Sequence, residues 1–251
     1  MITDPWFYAA AVPAVILFGI SKGGFGGGLG VIAVPLVSLT ISPVQAAGIL
    51  LPILCLMDLL SLWAYRGRWI WTELKILLPA SLIGILIGTL TFGYLAASHV
   101  RLIVGVVAVW FTLHYVIARR RRRERLPDYP QSAGVLGGSV AGFTSFVAHA
   151  GGPPINMYLL RRPLDRTDFV ATTVLFFAVV NYVKLVPYAW LGQLQSGNLL
   201  TSLTLAPLAP IGIAIGIYLH KRVTDRLFFG VVYALLFVVG IRLIVTGLAE
   251  L

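Results

Sequence analysis

The sequence predicts an all-α polytopic membrane protein made of two inverted repeats, each a broken or re-entrant helix pair plus three full transmembrane helices. Three observations predict it. The chain of 251 residues is 59% hydrophobic and 11% charged, with a mean hydropathy of +0.92. A soluble domain carries roughly 25% charged residues, so this chain cannot cover a water-facing surface. Its apolar residues fall in successive blocks, many near the ~20 residues that cross a hydrocarbon core. The blocks also repeat. "PASLIGILIG" from Pro79 returns as "PLAPIGIAIG" from Pro207, and "RLIVGVV" from Arg101 returns as "RLFFGVV" from Arg226, a period of about half the chain.

In chain order, segments 6–20 and 25–41 form a short pair joined by a glycine-rich break from Lys22 to Gly30. Full spans follow at 44–64, 76–96 and 99–118, completing a first repeat over 1–118. An arginine-rich linker occupies 119–131. The second repeat, 132–251, starts with segments 132–149 and 153–160 around a break from Ala150 to Pro154, and continues with spans 168–190, 199–219 and 227–247. Segment 153–160 is too short to cross a bilayer at ~1.5 Å per residue. Residues 132–160 are therefore expected to form a hairpin entering from the cytoplasmic side. Symmetry makes 6–41 a hairpin from the periplasmic side. Segment 25–41 alone is nearly long enough to span, so two crossing helices are the open alternative for that half. Loop charge does not discriminate, because both arrangements return the chain to the same side.

Orientation follows from one loop. Arg119 to Arg123 and Arg125 place the linker in the cytoplasm by the positive-inside effect. Counting spans from there puts Arg66, Arg68, Lys75, Arg161, Arg162, Arg166, Lys221, Arg222 and Arg226 on the same side, with Arg101 the exception. Both termini are then periplasmic. Three spans per half is an odd number, so the halves insert in opposite senses. Inverted repeats are typical of secondary transporters, whose sites lie near the midplane at the repeat interface, and they also occur in some channels. The net charge of +10 is thus a topological signal, and no nucleic-acid partner is expected; the bilayer is the principal one. Cys55 is the only cysteine and sits in an apolar span, which excludes an intrachain disulfide and a thiol metal site. The N-terminus, MITDPWFYAA, has no basic n-region, so the first apolar segment is expected to stay in the mature protein.

The chemistry should lie at the two breaks. Glycine costs about 1 kcal/mol relative to alanine in a helix interior, so the run Ser21-Lys22-Gly23-Gly24-Phe25-Gly26-Gly27-Gly28-Leu29-Gly30 indicates opened backbone. A helix is expected to begin near Gly28, with its free N–H groups and positive dipole end suited to an anion and Lys22 beside them. The competing reading is a close-packing glycine tip with Lys22 snorkelling to water. The second break, His149-Ala150-Gly151-Gly152-Pro153-Pro154-Ile155-Asn156, offers a helix starting near Pro153. Inverted symmetry would bring the two electropositive ends to one cavity. Backbone N–H groups of Gly23, Gly24, Gly151 and Gly152 would hold the anion, Lys22 and His149 would supply charge, and Ser21, Asn156, Ser145 and Thr144 would add hydrogen bonds. A lone histidine in an apolar segment is more often a packed residue than a ligand.

Asp58, Asn181 and Lys184 interrupt the full spans, and charges at membrane depth mark pathways or buried pairs. Asp58 pairs with Lys184 in one reading and carries a coupling proton or cation in the other. Gly84 with Gly88, and Gly212 with Gly216, read as close helix packing. Arg242 reads as snorkelling. Trp63, Tyr65, Trp69, Trp71, Tyr188 and Trp190 read as interfacial aromatics. No hydrolase, metal or nucleotide motif is present, so neither an enzyme nor a cofactor is expected.

"SKGGFGGGLGVIAVPLV" from Ser21 and "GFTSFVAHAGGPPINMYLL" from Gly142 resemble the TauE/SafE family of sulfite-exporter permeases, and the likeness extends over almost the whole chain. The resemblance implies transport of sulfur-containing anions such as sulfite, thiosulfate or an organosulfonate, in the bacterial cytoplasmic membrane. The Ser21-Lys22 start and His149 are not universal in that family. The expectation is a permease working by alternating access, with an anion channel and a non-transporting membrane scaffold as the alternatives.

Overall fold

The computed structural model describes residues 1–27, 30–92, 94, 96–121, 130–220, 222 and 225–251. Gly28, Lys221 and linker residues 122–129 therefore lie outside the described residues. Among those described the protein is helical throughout, with no strand.

The first half contains α1 (Pro5–Gly24), a 3-10 turn at Gly30–Ile32, α2 (Ala33–Val37), α3 (Pro43–Ala64), α4 (Trp71–Phe92) and α5 (Ala97–Arg121). The second half contains α6 (Gln131–Ala148), α7 (Gly152–Leu159), α8 (Arg166–Trp190), α9 (Ser196–Leu205), α10 (Leu208–His220) and α11 (Asp225–Ala249). Helices α1, α3, α4, α5 and α8 are long and apolar enough to cross a membrane, and α9 with α10 forms a sixth span bent by 45°. The chain is a multi-pass membrane protein.

Local chemistry starts these helices where the sequence places polar caps. Asp4 and Ser42 cap α1 and α3, each with proline just inside, where a missing N–H is harmless. Asp165 caps α8 through the Asp168 N–H at 2.7 Å. That bond, with Arg68 beside it, holds the exposed Asp165 carboxyl below the usual carboxylate range.

The first short segment returns without crossing. A 3-10 turn of three residues and a helix of five are far shorter than a span, and they lead back to the Ser38–Ser42 connector. The stretch 5–37 is therefore one long helix, α1, itself long enough to span, followed by a short helical return. The expected helix start at Gly28 lies outside the described residues, after which the chain runs through this turn into α2 at Ala33. In the second half α7 begins at Gly152 and has eight residues, as the proline placement anticipates.

Packing joins helices of opposite halves. α1 runs parallel to α10, with Gly19 against Gly212 and Gly23 against Gly216. α4 runs parallel to α6, with Gly84 against Ser139 and Phe143, and Gly142 against Ser81. α3 crosses α8 and α5 crosses α11 antiparallel. In these seams the glycines let backbone meet backbone, as small residues do in membranes. The opposite face of α4 carries exposed Leu82, Ile83, Leu86, Ile87 and Leu90, a lipid-facing stripe at helical spacing.

Two tyrosines expected at the membrane interface are instead buried. Tyr65 donates to the Gly23 carbonyl and Tyr188 to the Phe146 carbonyl, both at 2.5 Å and both across 42 residues of sequence. Each holds the last turn of the helix before a break, α1 or α6, at a point where helical carbonyls lose their intrahelical donors. Trp63, Trp71 and Trp190 are exposed at helix ends as expected.

The basic end is tied by carboxylates. Arg68 bridges Asp165 and Asp168 at 2.7 Å each. Glu73, 4% exposed, accepts from Tyr158 Oη at 2.8 Å and from Arg162 Nε at 2.7 Å, and so anchors α7 to α4. Glu73→Ala removes both bonds and is expected to cost roughly 1–3 kcal/mol locally. Limited trypsin digestion checks this: cleavage at Arg161 or Arg162 should accelerate.

Candidate functional site

The two breaks meet. A small, narrow cavity is lined by Phe18, Lys22 and Gly27 from the first break and the helix before it, Ser145 and His149 from the second, Leu54 of α3, and Phe177 and Asn181 of α8. Its volume is about 10 Å³, room for about one water.

Around it lies a network of polar side chains, none more than 4% exposed. Lys22 forms an ion pair with Asp58, and the other Asp58 oxygen accepts from Asn181 Nδ2 at 2.8 Å. Lys184 lies behind the cavity wall. It donates to the Ser145 carbonyl at 2.9 Å, to Ser145 Oγ at 3.0 Å and to His149 Nδ1 at 2.9 Å. His149 Nε2 lies 2.9 Å from the Ala47 carbonyl. A carbonyl only accepts, so Nε2 carries the proton, and Nδ1 accepts from the ammonium. That is a neutral imidazole. Tyr188 stacks on the ring at 6.2 Å.

His149 also takes the left-handed conformation, φ 51°, at the end of α6. Glycine normally takes this position, and strain of this kind persists where the surroundings over-determine it. Three contacts hold the histidine there: Lys184, Ala47 and Tyr188. The first hairpin turns through true glycines instead, Gly26 at φ 65° and Gly27 at φ 70°.

The network leaves three donors free to face the cavity. Ser145 Oγ accepts from Lys184, so its own proton is available. Asn181 Nδ2 has a second N–H, and Lys22 keeps a third N–H beyond those on Asp58 and on the Leu54 carbonyl at 3.5 Å. Phe18 and Phe177 complete the wall with rings.

Several expectations are corrected. Asp58 pairs with Lys22 and not with Lys184. Lys22 is 2% exposed and does not snorkel. Gly23 and Gly24 form the last turn of α1, so their N–H groups are bonded within the helix. Their carbonyls are taken by Tyr65 and by His220 Nδ1, and a Cβ on Gly23 would lie 2.5 Å from the Ile213 carbonyl. They are packing glycines. Ser21 is buried, and its carbonyl accepts from the Phe25 and Gly27 N–H groups. His149 is a neutral positioning group, not a source of charge. Gly151, Gly152 and Asn156 sit at the start of α7, outside the cavity lining. The Asn156 carbonyl oxygen of the side chain is buried without a partner. Pro153 and Pro154 remove two of the donors that a helix start otherwise offers. Thr144 caps its own helix end, donating toward Val140, Ala141 and Ala150 carbonyls.

The structure thus brings together Lys22, Ser145, His149 and Asn181, with Asp58 and Lys184 directly behind. Phe18, Leu54 and Phe177 escape sequence reasoning because nothing distinguishes them from ordinary core residues.

A family model described as Sulfite exporter TauE/SafE matches residues 11–243. No curated protein and no solved structure matches the chain.

Proposed function

The chain belongs to the sulfite exporter TauE/SafE family, a family of membrane transporters, and from that premise we propose that it carries a small sulfur oxyanion, sulfite or an organosulfonate, across the bacterial cytoplasmic membrane. The observation that carries this reading is the buried cavity that both breaks line. Lys22, Asn181 and Ser145 supply three converging donors for a three-oxygen group. Lys184 and His149 fix Ser145, and Asp58 balances Lys22.

The halves 1–118 and 132–251, joined by the linker 119–131, act as inverted repeats in this account. Support comes from the helix pairing, which maps onto itself when the halves are exchanged: α1 with α10 becomes α6 with α4, while α3 with α8 and α5 with α11 stay unchanged. The matched tyrosine latches support it as well.

The small volume of the cavity favours a carrier over a channel. A three-oxygen anion needs several times the room present, so it enters only when the helices around the breaks separate, first toward one side and then the other. Asp58 and the cargo share the donors Lys22 and Asn181. A proton on Asp58 would cancel the repulsion between them, which makes Asp58 the coupling group and Lys184 the residue that keeps the opposite wall in place.

Titration calorimetry on purified protein with sulfite, thiosulfate, sulfoacetate and taurine tests the reading. At least one should bind saturably, and Lys22→Met should weaken it about tenfold or more, the worth of a charge-assisted bond. No heat with any of the panel, or unchanged affinity in Lys22→Met, removes the proposal. Counterflow in liposomes separates carrier from channel.

A further inference from the structure

A roomier cleft lies elsewhere, at the end opposite the basic loops. Its volume is about 390 Å³. The floor is the Ser38–Ser42 connector that leads from α2 to α3, and the walls are Arg101 at the start of α5 and Arg242, Leu243, Thr246 and Glu250 in the last turns of α11.

Two donors in this cleft are buried and have no partner: Ser38 Oγ and Arg101 Nε. Ser38 is only 5% exposed. A buried donor without an acceptor costs about as much as a lost hydrogen bond, and two on one cleft point to an acceptor-rich ligand between them. The other hydroxyls are occupied. Thr40 and Thr246 donate to carbonyls of their own segments, and Ser42 caps α3. Charge agrees. Arg101 pairs with Glu250, whereas Arg242 makes no ion pair among the described residues, so the lining keeps one positive charge in excess. Arg101 and Arg242 are the two arginines that positive-inside topology leaves unexplained.

We propose that this cleft is a docking site for an oxyanion of the cargo class, held by Arg242, Arg101 Nε and Ser38 Oγ before it passes to the buried cavity. The placement fits that order. Ser38 follows directly on α2, and the short stretch from Gly27 through the 3-10 turn and α2 joins the buried cavity to the cleft. The inference rests on the transport reading above. The same chemistry would also suit the phosphate of a lipid headgroup, and the test separates the two sources.

The test is sulfoacetate flux into and out of liposomes holding oriented full-length protein. Arg242→Gln is the main variant, chosen because its side chain is exposed and makes no ion pair; Ser38→Ala is the second. The expected result is a KM raised about tenfold for anion presented on the cleft side, with that side's kcat near wild type; from the other side KM stays near wild type and kcat falls by the same factor, as the fixed transport equilibrium requires. Equal KM values from both sides in Arg242→Gln overturn the proposal even where wild-type transport is saturable. Loss of bound anionic lipid in Arg242→Gln, seen by native mass spectrometry with KM unchanged, also overturns it and assigns the cleft to a headgroup. Absence of saturable transport in the wild-type protein instead defeats the underlying transport reading.

Discussion

Asp58→Ala is expected to lower the unfolding free energy by roughly 3–5 kcal/mol. The reason is desolvation. Lys22 and Asp58 are 2% and 0% exposed, and each is tolerable only because the other is there. Removing the carboxylate strands an ammonium in the protein interior and also frees Asn181 Nδ2. Replacing both members with apolar residues of similar size, Lys22→Met with Asp58→Leu, should recover most of the loss, because a buried pair stabilises little over a packed hydrophobic pair. The two single variants and the double, unfolded in detergent under matched conditions, give the coupling energy. A cost below about 1 kcal/mol for Asp58→Ala would mean that the pair is hydrated and weak.

The second large effect concerns the seams. Gly142→Val is expected to cost at least ~1–3 kcal/mol, and more where no shift relieves it. A Cβ there would press directly on the Ser81 backbone, which has no rotamer to change. Gly137→Ala is the control on the same helix. Its Cβ would meet the Pro154 carbonyl at 3.5 Å and the Tyr158 Cβ at 3.7 Å, which are ordinary contacts. That substitution should be neutral or stabilising by a fraction of 1 kcal/mol, since alanine is the better helix former. Melting temperatures of the two variants should therefore move apart. In the proposed transport cycle α1 would then move with α10, and α6 with α4, since backbone meets backbone along those seams.

Much of this architecture was legible in the sequence, for physical reasons that can be named. Apolar length and the paired "PxxxxGxxxG" runs located the spans and their glycine faces, since a stripe of small residues in lipid has little other use. The proline pair at Pro153 and Pro154 announced the start of α7. Polar groups at depth singled out Asp58, Asn181 and Lys184, and the glycine break singled out Lys22. What the sequence could not tell was who meets whom. The sequence reading offered Lys184 as the partner of Asp58, and only the crossing of α1 against α3 shows that Lys22 takes that place. The glycines of the first break looked alike, yet Gly23 and Gly24 serve helix packing while Gly26 and Gly27 make the turn. That division depends on where α1 ends, the least readable feature of any helix. Tyr65 and Tyr188 were misplaced because a tyrosine at a span end suits an interface and a buried carbonyl equally well.

The account stands on the cavity where the two breaks meet being the place an anion occupies during transport. Site-directed labelling measures this most directly, and a single native cysteine makes it clean: Cys55→Ala gives a cysteine-free background. Phe177→Cys in that background places a thiol in the cavity wall. Sulfoacetate is the protectant, since sulfite itself attacks thiol reagents. The account predicts that an anionic thiosulfonate labels this cysteine from both sides of the membrane, and that sulfoacetate slows labelling at the concentrations that saturate transport. Labelling that sulfonate never slows, in a variant that still transports it, would contradict the account.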